Sequence, residues 1–444
     1  MPKEEIVGEI ELPSEQFSLW QKSITSISGF AEEVRGNLAG QEQITATVQL
    51  ILAGGVILNS SDIHLEPEEE KTKLRVRLDG ILHDTAFVEP ALYGKLLSRV
   101  KLLAGLKLNI TDRSQDGRFT LRITNGANKN IEIEVRVSVL PSEYGEAIVM
   151  RILNPQSLLS INDLGIREDL KIIFEKEFSR PNGMIIITGP TGSGKTTTLY
   201  AILKKLQSPE IKIITIEDPI EYHLSGISQS QVNQESGYTF VSGLQAIVRQ
   251  DPDVILVGEI RDSETAQIAI QAALTGHLVL STLHTNDAAG TIARMAALGE
   301  KPAEVAPALN AVVAQRLVRV ACRYCREMVD ITENERAEIK KSLANLPATA
   351  KKTIKIEDLL KVGKISRAKG CPKCNSTGYK GRIGLYEIFI VDDEMENFIA
   401  AAPSVADLNR KARDKGMTTM RQDGLIKVLQ GITTLDEIER VAGE

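Results

Sequence analysis

At 444 residues the chain is too long for one core and points to two or three domains. Charged residues make up 25% and hydrophobic ones 42%, the balance expected of a soluble globular protein. A net charge of -6 excludes overall electrostatic attraction to nucleic acid or anionic lipid and leaves only a local basic patch for it, so no direct nucleic-acid contact is expected.

In chain order, Met1 to Glu11 carries four glutamates and no apolar core of a signal peptide, which leads us to expect a cytoplasmic protein. Residues 1–35 show weak periodicity and scattered Ser, Glu and Gly, and are expected to be a mobile or loosely docked extension. Gln43 to Ser61 is uncharged for 19 residues, yet only Leu50 to Leu58 is continuously apolar. That run is too short to cross a bilayer, so Ile44 to Leu58 is expected to be a buried helix. Residues 36–153 read as an α/β domain, with alternating strands at Lys73 to Leu78 and Ile131 to Val139 and a turn at Asp79-Gly80. Arginines crowd it: Arg75, Arg77, Arg113, Arg118, Arg136 and Arg151. Most suit solvated strand faces, but an arginine delivered to a phosphate must come from somewhere. Asn154-Pro155 through Gly165 reads as a linker.

The stretch GMIIITGPTGSGKTTT, Gly183 to Thr198, fixes the chemistry. A short apolar strand, a glycine-rich turn and a helix from Thr196 to Leu206 follow in that order. Gly189, Pro190, Thr191, Gly192, Ser193, Gly194, Lys195, Thr196 and Thr197 form the expected ATP cradle. Glycines let the backbone approach the phosphates, and helix N-terminal amides point at them. Lys195 reaches the β and γ phosphates, and the Thr196 hydroxyl is the expected Mg2+ ligand. Residues 166–320 are then the ATPase core.

Two further strands bring acids. Ile211 to Ile216 ends in Glu217, Asp218 and Glu221, at the strand edge where ligands bind in this architecture. Asp253 to Glu259 ends in Glu259, the expected general base, with Gly258 where many P-loop proteins have Asp. Thr275 to Asp287 is a third strand with His277 and His284 at its ends, a position that suits a γ-phosphate sensor.

All four cysteines, Cys322, Cys325, Cys371 and Cys374, fall in two C-x-x-C pairs. Two thiolate claws suit a tetrahedral structural Zn2+, with redox or idle thiols as the alternatives. This defines an expected zinc subdomain at 321–377, its insert Arg326 to Gly370 reading as helices, and a helical C-terminal region at 378–444.

SSDIHLEP at 60–67, LRVRLDGIL at 74–82, QDGR at 115–118 and VRVSVLP at 135–141 resemble the second N-terminal domain of the ATPases that drive type II secretion and type IV pilus assembly. The likeness continues through the P-loop to the C-terminus. It implies a RecA-like P-loop ATPase domain preceded by a smaller PAS-like α/β domain, with a zinc-binding insertion and a helical C-terminal region. It also implies that Arg136 and Arg151 reach the nucleotide, that Glu217 to Glu221 is an aspartate box positioning magnesium and water, and that His277 and His284 form a histidine box. Gln245 departs from the arginine usual in this family. The tetracysteine element, GYKGRIGLYEI at 378–388 and RQDGLIKVLQGITTLDEIERV at 421–441 resemble the assembly branch rather than the retraction branch. A homo-oligomer, as a hexamer, and an inner-membrane platform protein are the implied partners, with membrane association through them. A nucleic-acid-translocating motor and a non-catalytic nucleotide-gated scaffold stay open as other classes.

Overall fold

The computed structural model describes residues 8–39, 43–124, 130–154 and 159–443. Residues 1–7 of the expected extension and 155–158 of the expected linker lie outside them. The described residues of 1–157 with 369–380 make one compact unit, and those of 158–368 with 381–444 make the other.

The first unit is a seven-stranded sheet: β1 (Glu9–Pro13), β2 (Asp62–Pro67), β3 (Thr72–Leu78), β4 (Ile81–Val88), β5 (Gln115–Thr124), β6 (Ile131–Ser142) and β7 (Gly145–Leu153). Their order is β1-β5-β6-β7-β2-β3-β4. Every pairing is antiparallel except β1 with β5. Alternation explains the faces. In β3, Leu74, Val76 and Leu78 are buried while Lys73, Arg75 and Arg77 point outward. Helices Ser14–Ser23, Ile27–Ala39, Ile44–Ile57 and Pro90–Leu103 complete the unit. The uncharged run becomes the Ile44–Ile57 helix, with Thr47 to Gly55 buried apart from Gln49. Among the described residues no helix is long and apolar enough to cross a membrane.

The expected loose extension is corrected here. Glu9–Pro13 alternates outward and inward, and its Ile10 and Leu12 join Trp20, Phe30 and Val34 in the core shared with β3, β5 and β6. Parallel pairing from Glu9↔Thr120 to Pro13↔Thr124 satisfies its backbone, so residues 9–39 are an integral layer.

The second unit carries β8 (Gly183–Thr188), β9 (Ile213–Glu217), β10 (Ser228–Gln231), β11 (Val254–Val257), β12 (Leu278–Leu283), β13 (Leu309–Ala321), the small antiparallel pair β14 (Glu327–Asp330) and β15 (Lys364–Arg367), and most of β16 (Tyr379–Ile390). The large sheet runs β10-β9-β11-β12-β8-β13-β16, and β10 through β13 are mutually parallel. Its central strands β8, β9, β11 and β12 are buried along their whole length, as continuous apolar runs require. The expected helical region from 378 therefore opens with a strand of this sheet, and helices follow only from Asp393. The cysteine insert holds helices Glu333–Leu343, Ala348–Ile354 and Ile356–Val362, together with β14 and β15.

Candidate active site

Parallel pairing places the ends of β8, β9, β11 and β12 along one edge of the sheet, and the loops that follow them carry the candidate residues. After Thr188 the chain turns through Gly189–Gly194 into the helix Lys195–Leu206. Gly194 has φ +89°, a left-handed value that a side chain resists. The Lys195 ammonium folds over the loop and donates to the carbonyls of Gly189 (2.8 Å) and Pro190 (3.2 Å). Burial pushes its pKa down, and the nearby Glu259 carboxylate works in the opposite direction. Thr196 lies partly exposed on the first helical turn.

Hydroxyl clamps aim the neighbouring loops. Ser281 Oγ donates to the Val257 carbonyl and Thr282 Oγ1 to that of Gly258, both at 2.8 Å, fixing the turn that presents Glu259. A Cβ at Gly258 would stand 3.3 Å from the Glu217 Cα and from the Ile216 carbonyl oxygen, so a side chain there would press on the end of β9. Glu259 pairs with Arg261, and His284 Nε2 stands 3.6 Å from its other oxygen. Arg261 also reaches Asp218 at 3.9 Å. Lys195, Asp218, Glu259, Arg261 and His284 thus gather at one edge. Thr285, next to His284, donates its amide to Thr188 Oγ1 at 2.8 Å, tying this loop to the base of the phosphate loop.

The expectations for Glu217 and His277 are revised, while Arg136 and Arg151 have ion-pair partners of their own. Glu217 is buried and turned inward: its carboxylate accepts from Tyr200, from Thr215 Oγ1 at 2.6 Å and from Gln229 Nε2 at 3.3 Å. Burial and the Glu217 charge hold the Tyr200 phenol in its protonated, donating form. The same hydroxyl accepts from the Glu221 amide at 3.3 Å, so Glu217 and Tyr200 shape the acidic loop from beneath. His277 precedes β12 at the opposite edge, where its Nδ1 faces the Ala272 carbonyl at 3.0 Å. With Leu278↔Gly183 and Leu283↔Thr188 in register, roughly 16 Å of strand at ~3.3 Å per residue separates it from the loop. Arg136 and Arg151 sit in adjacent register on β6 and β7 of the first unit. There Arg136 pairs with Glu134 (3.0 Å) and Arg151 with Asp62 (2.9 Å). Burial opposes ionisation of Asp62, but hydrogen bonds and charge from Arg151 outweigh it and hold this carboxyl below its usual range. Gln245 is exposed on its helix. Sequence reading missed Tyr200 and Thr285, whose only signal was a polar group beside an apolar strand.

The donor set is four cysteine thiols, Cys322 and Cys325 in the second unit and Cys371 and Cys374 in the first. Cys371 and Cys374 are 3.7 Å apart, close to the ~3.8 Å edge of a tetrahedron with ~2.3 Å Zn–S bonds. The Cys371 amide donates to Cys374 Sγ at 3.2 Å, as it would to a metal-bound thiolate. This donor set fits Zn2+.

A parallel sheet with a G-x-x-x-x-G-K-T loop between strand and helix, and an acid just after the strand two places away in that sheet, defines a RecA-like P-loop ATPase. The profile of the family described as type II/IV secretion system protein matches residues 37–440, and the chain belongs to that family. Type II secretion system protein E of Pseudomonas aeruginosa is 44% identical over 402 residues, 90% of this chain and 76% of that protein. The type II secretion system ATPase E of Vibrio cholerae is 43% identical over 404 residues, with the same coverage. The type IV pilus assembly ATPase PilB of Thermus thermophilus is 42% identical over 88% of this chain, which spans 42% of that protein's length. Among solved structures, the pilus retraction motor PilT with bound ADP is 26% identical with a TM-score of 0.58, covering 89% of this chain and 96% of that one. The Legionella pneumophila ATPase DotB shares the fold at 20% identity, with a TM-score of 0.63 over 90% of this chain and 96% of that one.

Proposed function

We propose that this chain is the motor subunit of a filament-assembling machine at the inner membrane, hydrolysing ATP to add pilin or pseudopilin subunits. The observation that carries this reading is the gathering of Lys195, Asp218, Glu259 and His284 at one sheet edge, in a chain 44% identical to a type II secretion protein E. Amides of Gly189 to Thr197 would hold the phosphates, and Lys195 would exchange its loop carbonyls for the β and γ oxygens. Thr196 and Asp218 would hold Mg2+, whose role is to neutralise phosphate charge. Glu259 takes the proton of the attacking water, and its contacts with Arg261 and His284 orient it until nucleotide arrives. His284 is suited to sense the γ phosphate. Glu217 and Glu221 set the acidic loop rather than touch water.

Arg136 and Arg151 stabilise the transferred charge, supplied by a neighbouring subunit of a hexamer. The inner-membrane platform protein of a pilus or secretion machine is the partner, and membrane association runs through it. Zn2+ at Cys322, Cys325, Cys371 and Cys374 is structural, because four protein ligands leave no open position. Glu259→Gln is expected to bind ATP normally and to lose hydrolysis by at least about a hundredfold. A strain lacking the gene should lose surface filaments or exoprotein export, and wild type but not Glu259→Gln should restore them. Normal hydrolysis by the variant would reject the base, and intact filaments and export after deletion would reject the role.

A further inference from the structure

Strand β13 carries a deeply buried amide, Gln315, that the hydrolytic scheme leaves unused. Gln315 follows Ala314, which is in register with Thr188 at the end of β8, so it lies directly beside the phosphate loop. Its residue is 1% exposed, and burying a primary amide so deeply is unfavourable without a partner. That partner is the helix that follows the loop: Gln315 Oε1 accepts from Thr198 Oγ1 at 2.8 Å.

Both ends of the loop close onto the same residue. The Gln315 carbonyl oxygen lies only 2.4 Å from where a Cβ at Gly189 would stand, and Gln315 Nε2 lies 2.8 Å from a Cβ position at Gly194. Gly189 opens the loop and Gly194 closes it, with φ +147° and +89°. The absent side chains at these two positions are what let Gln315 approach. Leucine or alanine at 315 would keep the strand and lose the bond to Thr198.

We propose that Gln315 is a positioning residue for the nucleotide phosphates. It braces the entry of the cradle with its backbone, the exit with its amide and the first helical turns through Thr198, so that the loop amides are already aimed when phosphate arrives. It touches no reacting atom. Its effect is on how well the cradle is preorganised, so its loss weakens nucleotide binding more than it slows the bound complex.

The test compares Gln315→Leu and Thr198→Val in the full-length protein, with ADP binding by calorimetry and steady-state ATP hydrolysis, at a temperature where each variant retains its native circular dichroism. One buried hydrogen bond is worth ~1–1.5 kcal/mol, so each variant should raise the ADP Kd and the ATP KM about tenfold while kcat changes by less than about threefold. The double variant should lose less than the product of the two single losses, because both remove the bond between Thr198 and Gln315. ADP Kd and ATP KM within twofold of wild type in both variants, or strictly additive losses in the double one, would overturn the assignment. If Gln315→Leu fails to fold, Thr198→Val alone decides it, with the same thresholds.

Discussion

Glu259 shows how the surroundings of one side chain decide what it can do. Its turn is clamped by Ser281 and Thr282, and its oxygens are shared between Arg261 and His284. Buried Glu217 has the same carboxylate but three protein donors, and aligns Tyr200 and the loop above it. The two histidines divide in the same way. His284→Ala is expected to lower kcat at least about tenfold through the disturbed Glu259, whereas His277→Ala should leave kcat within about twofold. Equal losses in the two variants, measured as phosphate release under saturating ATP, would contradict this division. The phosphate loop's place between strand and helix, and the place of Glu259 after its strand, were readable because apolar runs and glycines mark where strands end. His277 was misread because a strand's two ends look alike until pairing tells which end meets the loop. Gln315 had a signal, an amide at the end of the apolar run AVVA, but nothing in the run says which partner it finds.

At the scale of elements, the stretch after the linker is fastened to the C-terminal helices by buried charge. Arg167 donates to Asp423 at 2.8 Å and to Asp169 at 3.0 and 2.9 Å. Lys427 donates to the other Asp423 oxygen at 2.6 Å and to the Gly384 carbonyl at 2.7 Å, and the Tyr386 amide completes the carboxylate at 2.9 Å. Burial pushes the Lys427 pKa down, and Asp423 opposes that shift. Asp423→Ala leaves two buried cations without their shared partner, a loss of about 3–5 kcal/mol in urea unfolding of the full chain. A change below about 1 kcal/mol would show that these elements are held by apolar packing instead. Nothing in the sequence joined residue 167 to residue 423, since an ion pair across 256 positions leaves no local pattern. The same limit hid β1: its alternation EIELP is a legible strand signal, but its partner β5 lies about a hundred residues away.

For the whole molecule, the proposed arginines and the proposed hydrolytic centre belong to different units of the chain, so the proposed chemistry draws on both. Lys195→Ala retains a good Arg151, and Arg151→Ala retains a good phosphate loop. Each alone should lose at least about a thousandfold in hydrolysis, while mixed rings regain activity at roughly a quarter of their sites, those that pair an intact loop with a neighbour's intact arginine. Mixed rings confirmed by native mass spectrometry yet inactive would assign Arg151 to its own subunit's nucleotide or to none. One strand sets how far an event at the loop is felt. From Gln315 to Ala321, β13 continues for six residues, roughly 20 Å at ~3.3 Å each, before reaching Cys322. A stiff ribbon of that reach is a lever arm: tilting it by about ten degrees at the nucleotide displaces its far tip by ~3.5 Å, enough to reseat a side chain.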